Sequence, residues 1–164
     1  MEQLQKVETS SAQVEEMVQA LLGTRLNALD QYMEQVRICF SNGDELLDDA
    51  LNKISLQLPT YLYDLVLFAQ QLEMKKGVAN ETSKYAKNEA LLNASGTVAD
   101  KTAKAENSTI QDRINELAYK TAAAIVQKKL DGVMTMLDSV KKVRQAREKE
   151  RTLTNLAGSS VASF

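Results

Sequence analysis

The chain contains no histidine and one cysteine among its 164 residues, and each scarcity excludes a class of protein. Without histidine, the Ser-His-Asp and Cys-His nucleophile systems and nearly every familiar zinc site are excluded. We therefore predict a protein that is not an enzyme and holds neither a metal nor a cofactor. Because Cys39 alone cannot form an internal disulfide, a secreted scaffold held by disulfides is excluded, and we expect an intracellular, cytoplasmic protein.

Proline, glycine, aromatic residues and long apolar runs are also scarce. One proline, six glycines and 5% aromatic residues argue against sandwiches and barrels, which need frequent turns and β-forming side chains. The most apolar window, 62–69, is interrupted by Asp64 and is far shorter than the roughly 20 residues of a membrane span. No signal or transit peptide is recognisable at the N-terminus. The composition predicts an all-α protein without a membrane partner.

The first part of the chain predicts acidic helices over 10–58. Ser10 and Gln13 form a capping-box pattern, which predicts a helix beginning there and ending at Asn42-Gly43. Asp44 is the expected cap of a second helix, which Pro59 would end before opening a third. The apolar residues recur every three or four positions, as in a helix bundle, at Val18, Leu22, Leu26, Leu29, Met33, Val36 and Phe40, and then at Leu47, Leu51, Ile54 and Leu58.

The second part predicts a long helical hairpin over 59–152. Its turn falls near 95–97, where Ser95-Gly96 precedes a second capping-box pattern of Thr97 and Asp100. Helix can then continue to about residue 152, with a weak point at Asn107-Ser108, and an unbroken helix would be on the order of 80 Å long. We predict a single domain over 1–157, an elongated hairpin or bundle with coiled-coil-like packing, and a loose tail over 158–164.

An apolar seam runs along the predicted C-terminal helix at spacings of four and three residues. Because such a helix would extend beyond a compact domain of this size, part of the seam requires cover from another copy of the chain. We therefore predict a homo-oligomer whose interface comprises Val126, Leu130, Val133, Leu137 and Val140.

Charge is divided unequally along the chain. Residues 1–74 hold 12 acids and 4 bases, whereas residues 75–164 hold 10 acids and 16 bases. The basic residues concentrate at the hairpin tip and near the C-terminus, and we predict that they contact nucleic-acid phosphates: Lys101, Lys104, Lys141, Lys142, Arg144, Arg147, Lys149 and Arg151. No aromatic residues are interleaved with them, so only backbone binding is expected. The competing interpretations are a solvated helix end and contact with the acidic half of a neighbouring subunit.

Three smaller groups have mainly structural interpretations. The acids Asp44, Glu45, Asp48 and Asp49 have a spacing that could hold a hard metal ion, but acids are also common at a helix start for electrostatic reasons, which we favour. Tyr61, Tyr63 and Phe68 are expected to fill the core or an interface. Cys39 is expected to be a small packed side chain.

Two segments carry a resemblance to a known family. The segments 92–106 (LNASGTVADKTAKAE) and 136–144 (MLDSVKKVR) resemble small all-helical proteins of tailed-phage replication and recombination regions, and the layout of 84–151 is similar to that of UvsY-like recombination mediators. That resemblance implies ring-like homo-oligomers that bind single-stranded DNA without sequence preference and help to load a recombinase in place of a single-strand-binding protein. It also implies host-cell cytoplasm as the location.

The leading hypothesis is a non-enzymatic, oligomeric helical protein that binds single-stranded nucleic acid through its backbone as an accessory to recombination or replication. Its partners would be single-stranded DNA, further copies of itself, and a recombinase or single-strand-binding protein. One alternative is a coiled-coil assembly or virion component without a nucleic-acid role. Another is an inhibitor that occupies a host protein.

Overall fold

The computed structural model describes the backbone of residues 2–41 and 48–161, and the side chains of residues 10–41 and 48–155. These residues form four helices: α1 (Glu2–Ser41), α2 (Asp48–Asn93), α3 (Val98–Ser108) and α4 (Ile110–Val161). No strand occurs in the described ranges. The predicted all-α class and the long C-terminal helix are confirmed.

The chain divides into two compact units, and α1, α2 and α4 each contribute a segment to both. The first unit comprises residues 1–28 and 65–128. The buried residues of α3 and α4 in this unit are mostly alanine, and those of α1 and α2 are larger. Its buried apolar residues are Val18, Leu22, Leu26, Leu65, Phe68, Leu72, Ala105, Ile114, Ala118, Ala122, Ala123 and Val126. At its surface, the guanidinium of Arg25 lies 4.8 Å from the centre of the Phe68 ring.

The second unit comprises residues 29–64 and 129–164. Its buried apolar residues come from the same three long helices: Leu29, Val36, Leu51, Ile54, Leu58, Val133 and Val140. The rings of Tyr32 and Tyr61 stack with their centres 5.0 Å apart, and burial raises the pKa of the Tyr32 hydroxyl. An ion pair joins Asp30 of α1 to Lys129 of α4. The second unit is therefore held by apolar packing, ring stacking and charge pairing between α1, α2 and α4.

The prediction that α1 begins near Ser10 is wrong, because α1 begins at Glu2 and passes through Ser10. Residues 2–9 contain neither proline nor glycine, so nothing in them stops the helix from extending towards the N-terminus. The predicted end at Asn42-Gly43 and the predicted cap Asp44 lie outside the described residues. Cys39 is exposed and not packed, because the buried line of α1 passes through Val36.

The prediction that Pro59 separates two helices is also wrong, because α2 continues through it. Proline has no N–H, so the carbonyl of Ser55 loses its usual helical hydrogen bond. Pro59 lies on the exposed side of α2, where water can solvate that carbonyl, while the adjacent Leu58 is completely buried. Gly77 also lies inside α2.

The turn between α2 and α3 is where the sequence predicts it. Gly96 adopts a φ of +124°, a conformation that side-chain-bearing residues rarely adopt, and both halves of the Thr97–Asp100 capping box are present. The weak point at Asn107-Ser108 is a real break, since α3 ends at Ser108 and α4 begins at Ile110. Residues 158–161 belong to α4, so the predicted loose tail is wrong for them, and residues 162–164 lie outside the described part.

Candidate nucleic-acid interface

Two of the predicted phosphate-binding arginines contact a carboxylate of their own chain. Arg147 Nη1 lies 3.2 Å from Asp48 Oδ1, and Arg151 pairs with the other oxygen of the same carboxylate. Asp48 stands in the first turn of α2, where a helix stabilises negative charge. Arg147 and Arg151 therefore fasten the last part of α4 to the start of α2 within one molecule.

The remaining cations of this segment differ in their surroundings. Lys141 Nζ lies 3.6 Å from Asp138 one turn earlier, an exposed pair of little energetic weight. The side chains of Lys142, Arg144 and Lys149 are exposed, and no carboxylate of the described residues lies within 4.0 Å of any of them. These three side chains are the part of the predicted surface that remains open to a ligand.

The open cations lie on two faces of α4. At about 100° per residue, Lys142 and Lys149 share one face, whereas Arg144 lies roughly 200° away from Lys142, on the side that carries Arg151. Seven residues separate the two lysines, which is about 10 Å along the helix. The face of Lys142 and Lys149 points away from the buried line of Val133 and Val140, so this face is the better candidate for phosphate contacts.

The structure also adds cations that the sequence reasoning missed. Arg113, Lys120 and Lys128 are exposed and share one face of the α4 segment within the first unit. The signal was present in the sequence, since these residues repeat at intervals of seven and eight. These three residues are more widely spaced than the basic residues after position 140, so they form no cluster in the sequence.

Of the two lysines predicted at the hairpin tip, Lys104 has a local structural role. Lys104 Nζ donates a hydrogen bond of 3.1 Å to the carbonyl oxygen of Ser95, which holds the turn between α2 and α3. Lys101 is half-buried on α3. Lys87 of α2 and Glu106 of α3 pair at 3.6 Å and reinforce the same hairpin.

The predicted oligomer seam is buried largely by the chain itself. Val126, in the first unit, and Val133 and Val140, in the second, are almost fully buried, and Leu130 and Leu137 are half-buried. A single chain therefore supplies the cover that was assigned to a second copy. The seam therefore needs no second copy to cover Val126, Val133 and Val140.

The aromatic residues and the two described acids of the cluster, Asp48 and Asp49, form no metal-holding group. Phe68 is buried as expected, but Tyr63 is exposed, so the expected core cluster holds only in part. Among the described residues, no group of three or more carboxylate or thiol side chains is arranged to hold a metal ion. Asp44 and Glu45 lie outside the described ranges, and Asp48 is engaged with arginines. No helix within the described residues is both long and apolar enough to cross a membrane.

Comparisons with known proteins return no relative. No family model matches the sequence, no curated protein matches it, and no solved structure matches it. The similarity to UvsY-like mediators therefore stays a prediction from the segments 92–106 and 136–144.

Proposed function

We propose that this protein is a non-enzymatic helical protein that binds single-stranded nucleic acid through phosphate contacts, as an accessory to recombination or replication. The observation that carries the proposal is the pair Lys142 and Lys149, exposed on one face of α4 and without a carboxylate partner among the described residues. Lysines in such an arrangement attract phosphates without reading bases. Arg144 adds a further exposed charge on the opposite side of α4.

The test is a titration of fluorescently labelled single-stranded DNA, followed by anisotropy at several salt concentrations. For four to six phosphate contacts, log affinity falls with log salt at a slope of roughly −3 to −4, at about −0.7 per phosphate. Combining Lys142→Glu with Lys149→Glu should weaken binding for every base sequence and flatten the slope by about 1.4, which is two phosphates.

The matched control combines Arg37→Glu with Lys53→Glu, since both side chains are exposed on α1 and α2 and the change in net charge is the same. The control should retain binding and its salt slope. Equal losses in both variants would mean that only net charge matters, and absence of binding to the unmodified protein at low salt would reject the proposal.

A structural assembly protein is the second candidate, and one observation favours it. Exposed apolar side chains follow each other along a single face of α2. Such a line is typical of a helix that packs against a partner.

A further inference from the structure

Helix α2 presents apolar side chains on two opposite faces. Within the first unit, one face is buried and contains Leu65, Phe68 and Leu72. The other face is exposed. We define the outer stripe as the five apolar residues of that exposed face: Leu67, Met74, Val78, Tyr85 and Leu92, which are between 41% and 86% exposed.

The outer stripe follows one line along the helix, with polar residues in the gaps between its members. Its residues are separated by seven, four, seven and seven positions, which at about 100° per residue places them within roughly 40° of each other. The same arithmetic puts Leu65, Leu72 and the buried Ser83 on the opposite side of α2. The stripe extends over about 38 Å of helix at 1.5 Å per residue.

A line of this kind differs from ordinary surface exposure. Single apolar residues are common on protein surfaces, whereas a contiguous apolar patch bordered by polar residues marks an interaction site. Here the borders include Gln70, Gln71 and Asn88, and the charged residue Glu81 lies at the same border as Gln70 and Asn88. Helices that pair along their length use two apolar positions in every seven residues, and the stripe fills one of them throughout and both at Met74 and Val78.

The charges beside the stripe indicate which partner covers it. Lys75 and Glu89 lie on the same side of the stripe, both are exposed, and neither has an ion-pair partner among the described residues. They are 14 residues apart, about 21 Å along the helix. A second α2 running in the opposite direction, related by a two-fold axis near Thr82, brings each Lys75 opposite Glu89 of the other copy. In a parallel pair the two charges stay apart.

The same axis accommodates Glu81, which borders the stripe on the side opposite Lys75 and Glu89. Glu81 pairs with Lys84 at 2.9 Å within its own helix. Near the two-fold axis, this pair meets its counterpart from the second copy, so that carboxylates and ammonium groups alternate and no net charge is buried. Because of the two-fold axis, each favourable contact also occurs twice in the interface.

We propose that the outer stripe is the interface for a second copy of this chain, bound antiparallel through α2 about a two-fold axis near Thr82. The interface uses none of the α4 lysines, so it is independent of nucleic-acid binding. It also replaces the seam of Val126 to Val140 as the surface through which the protein associates with itself.

The first experiment measures the mass of the full chain by sedimentation and light scattering across a micromolar concentration range. The protein should have twice the mass of the 18.2 kDa chain, and combining Met74→Lys with Val78→Lys should give a monomer with unchanged helicity. Combining Met134→Lys with Leu153→Lys replaces two exposed apolar residues of α4 and should leave the dimer intact. A monomeric unmodified protein, or a dimer unaffected by the α2 variant, would overturn the proposal.

The second experiment tests the direction of the two helices by exchanging charges. Lys75→Glu alone or Glu89→Lys alone places like charges opposite each other and should raise the dimer dissociation constant about tenfold. Both changes in one chain restore opposite charges across an antiparallel interface, so the dissociation constant should return to near its original value. A double variant weaker than either single variant would reject the antiparallel arrangement.

Discussion

At the turn between α2 and α3, two side chains determine where the helix begins. Thr97 Oγ1 accepts a hydrogen bond from the backbone N–H of Asp100 at 3.3 Å, and Asp100 Oδ2 accepts one from the N–H of Thr97 at 3.2 Å. The Thr97 hydroxyl also donates to Asp100 Oδ2 at 2.6 Å. These hydrogen bonds favour the ionised carboxylate, so they lower the pKa of Asp100 below its usual value of 3.8.

The lowered pKa of Asp100 predicts a dependence of stability on pH. Because the folded state holds the carboxylate ionised, its contribution is present above pH 3.8 and is lost as the pH falls through the lower pKa of the folded state. Urea unfolding of the unmodified protein and Asp100→Asn should therefore differ at neutral pH and converge in acid. Other carboxylates titrate alike in both proteins, so a difference that stays constant with pH would contradict the assignment.

Among the helices, α2 departs most from the sequence rules, since it contains a proline in its interior. A proline there costs on the order of 3 kcal/mol relative to alanine. The helix nevertheless continues because Ile54 and Leu58 before Pro59, and Leu65 after it, are buried. Tertiary packing thus outweighs the local cost, as it commonly does for helices in proteins.

This balance predicts that Pro59→Ala stabilises the protein. The substitution restores the N–H that can bond the carbonyl of Ser55, and we expect the free energy of unfolding to rise by about 2 kcal/mol. Denaturant unfolding followed by circular dichroism measures the change, with Gln57→Ala as an exposed control on the same helix. If Pro59→Ala is neutral or destabilising, α2 does not pass continuously through residue 59.

Local signals predicted the buried residues and one of the two capping boxes, whereas the capping-box pattern at Ser10 lies inside α1. Periodicity identified buried residues such as Val18, Leu22 and Leu51, and side-chain hydrogen bonding identified the cap at Thr97. The predicted helix end at Pro59 was wrong because the packing of the surrounding residues decides whether a helix continues through a proline. A local sequence pattern holds no information about that packing. The candidate site was predicted only as a basic segment, since the partner of Arg147, Asp48, is 99 residues away in the chain.

At the scale of the whole molecule, the unequal distribution of charge is partly neutralised within a single chain. The acidic first half and the basic second half meet in the second unit, through Asp30 with Lys129 and through Asp48 with Arg147 and Arg151. These contacts make a second chain unnecessary for pairing the opposite charges of Asp48 and Arg147. Neither the exposed Lys142 and Lys149 of α4 nor the outer stripe of α2 takes part in this pairing.

An exchange of charge at Asp48 tests whether this pairing is internal. Asp48→Arg places a third cation beside Arg147 and Arg151, and we expect the free energy of unfolding to fall by about 1 kcal/mol while the molecular mass stays unchanged. Adding Arg147→Asp to the same chain should recover part of the loss, because the opposite charges then face each other again. The control is Asp49→Arg, an exposed neighbour with the same change in net charge, which should have little effect. If Asp48→Arg instead reduces the molecular mass and a chain carrying only Arg147→Asp restores it when mixed in, the acidic and basic halves of different chains pair with each other.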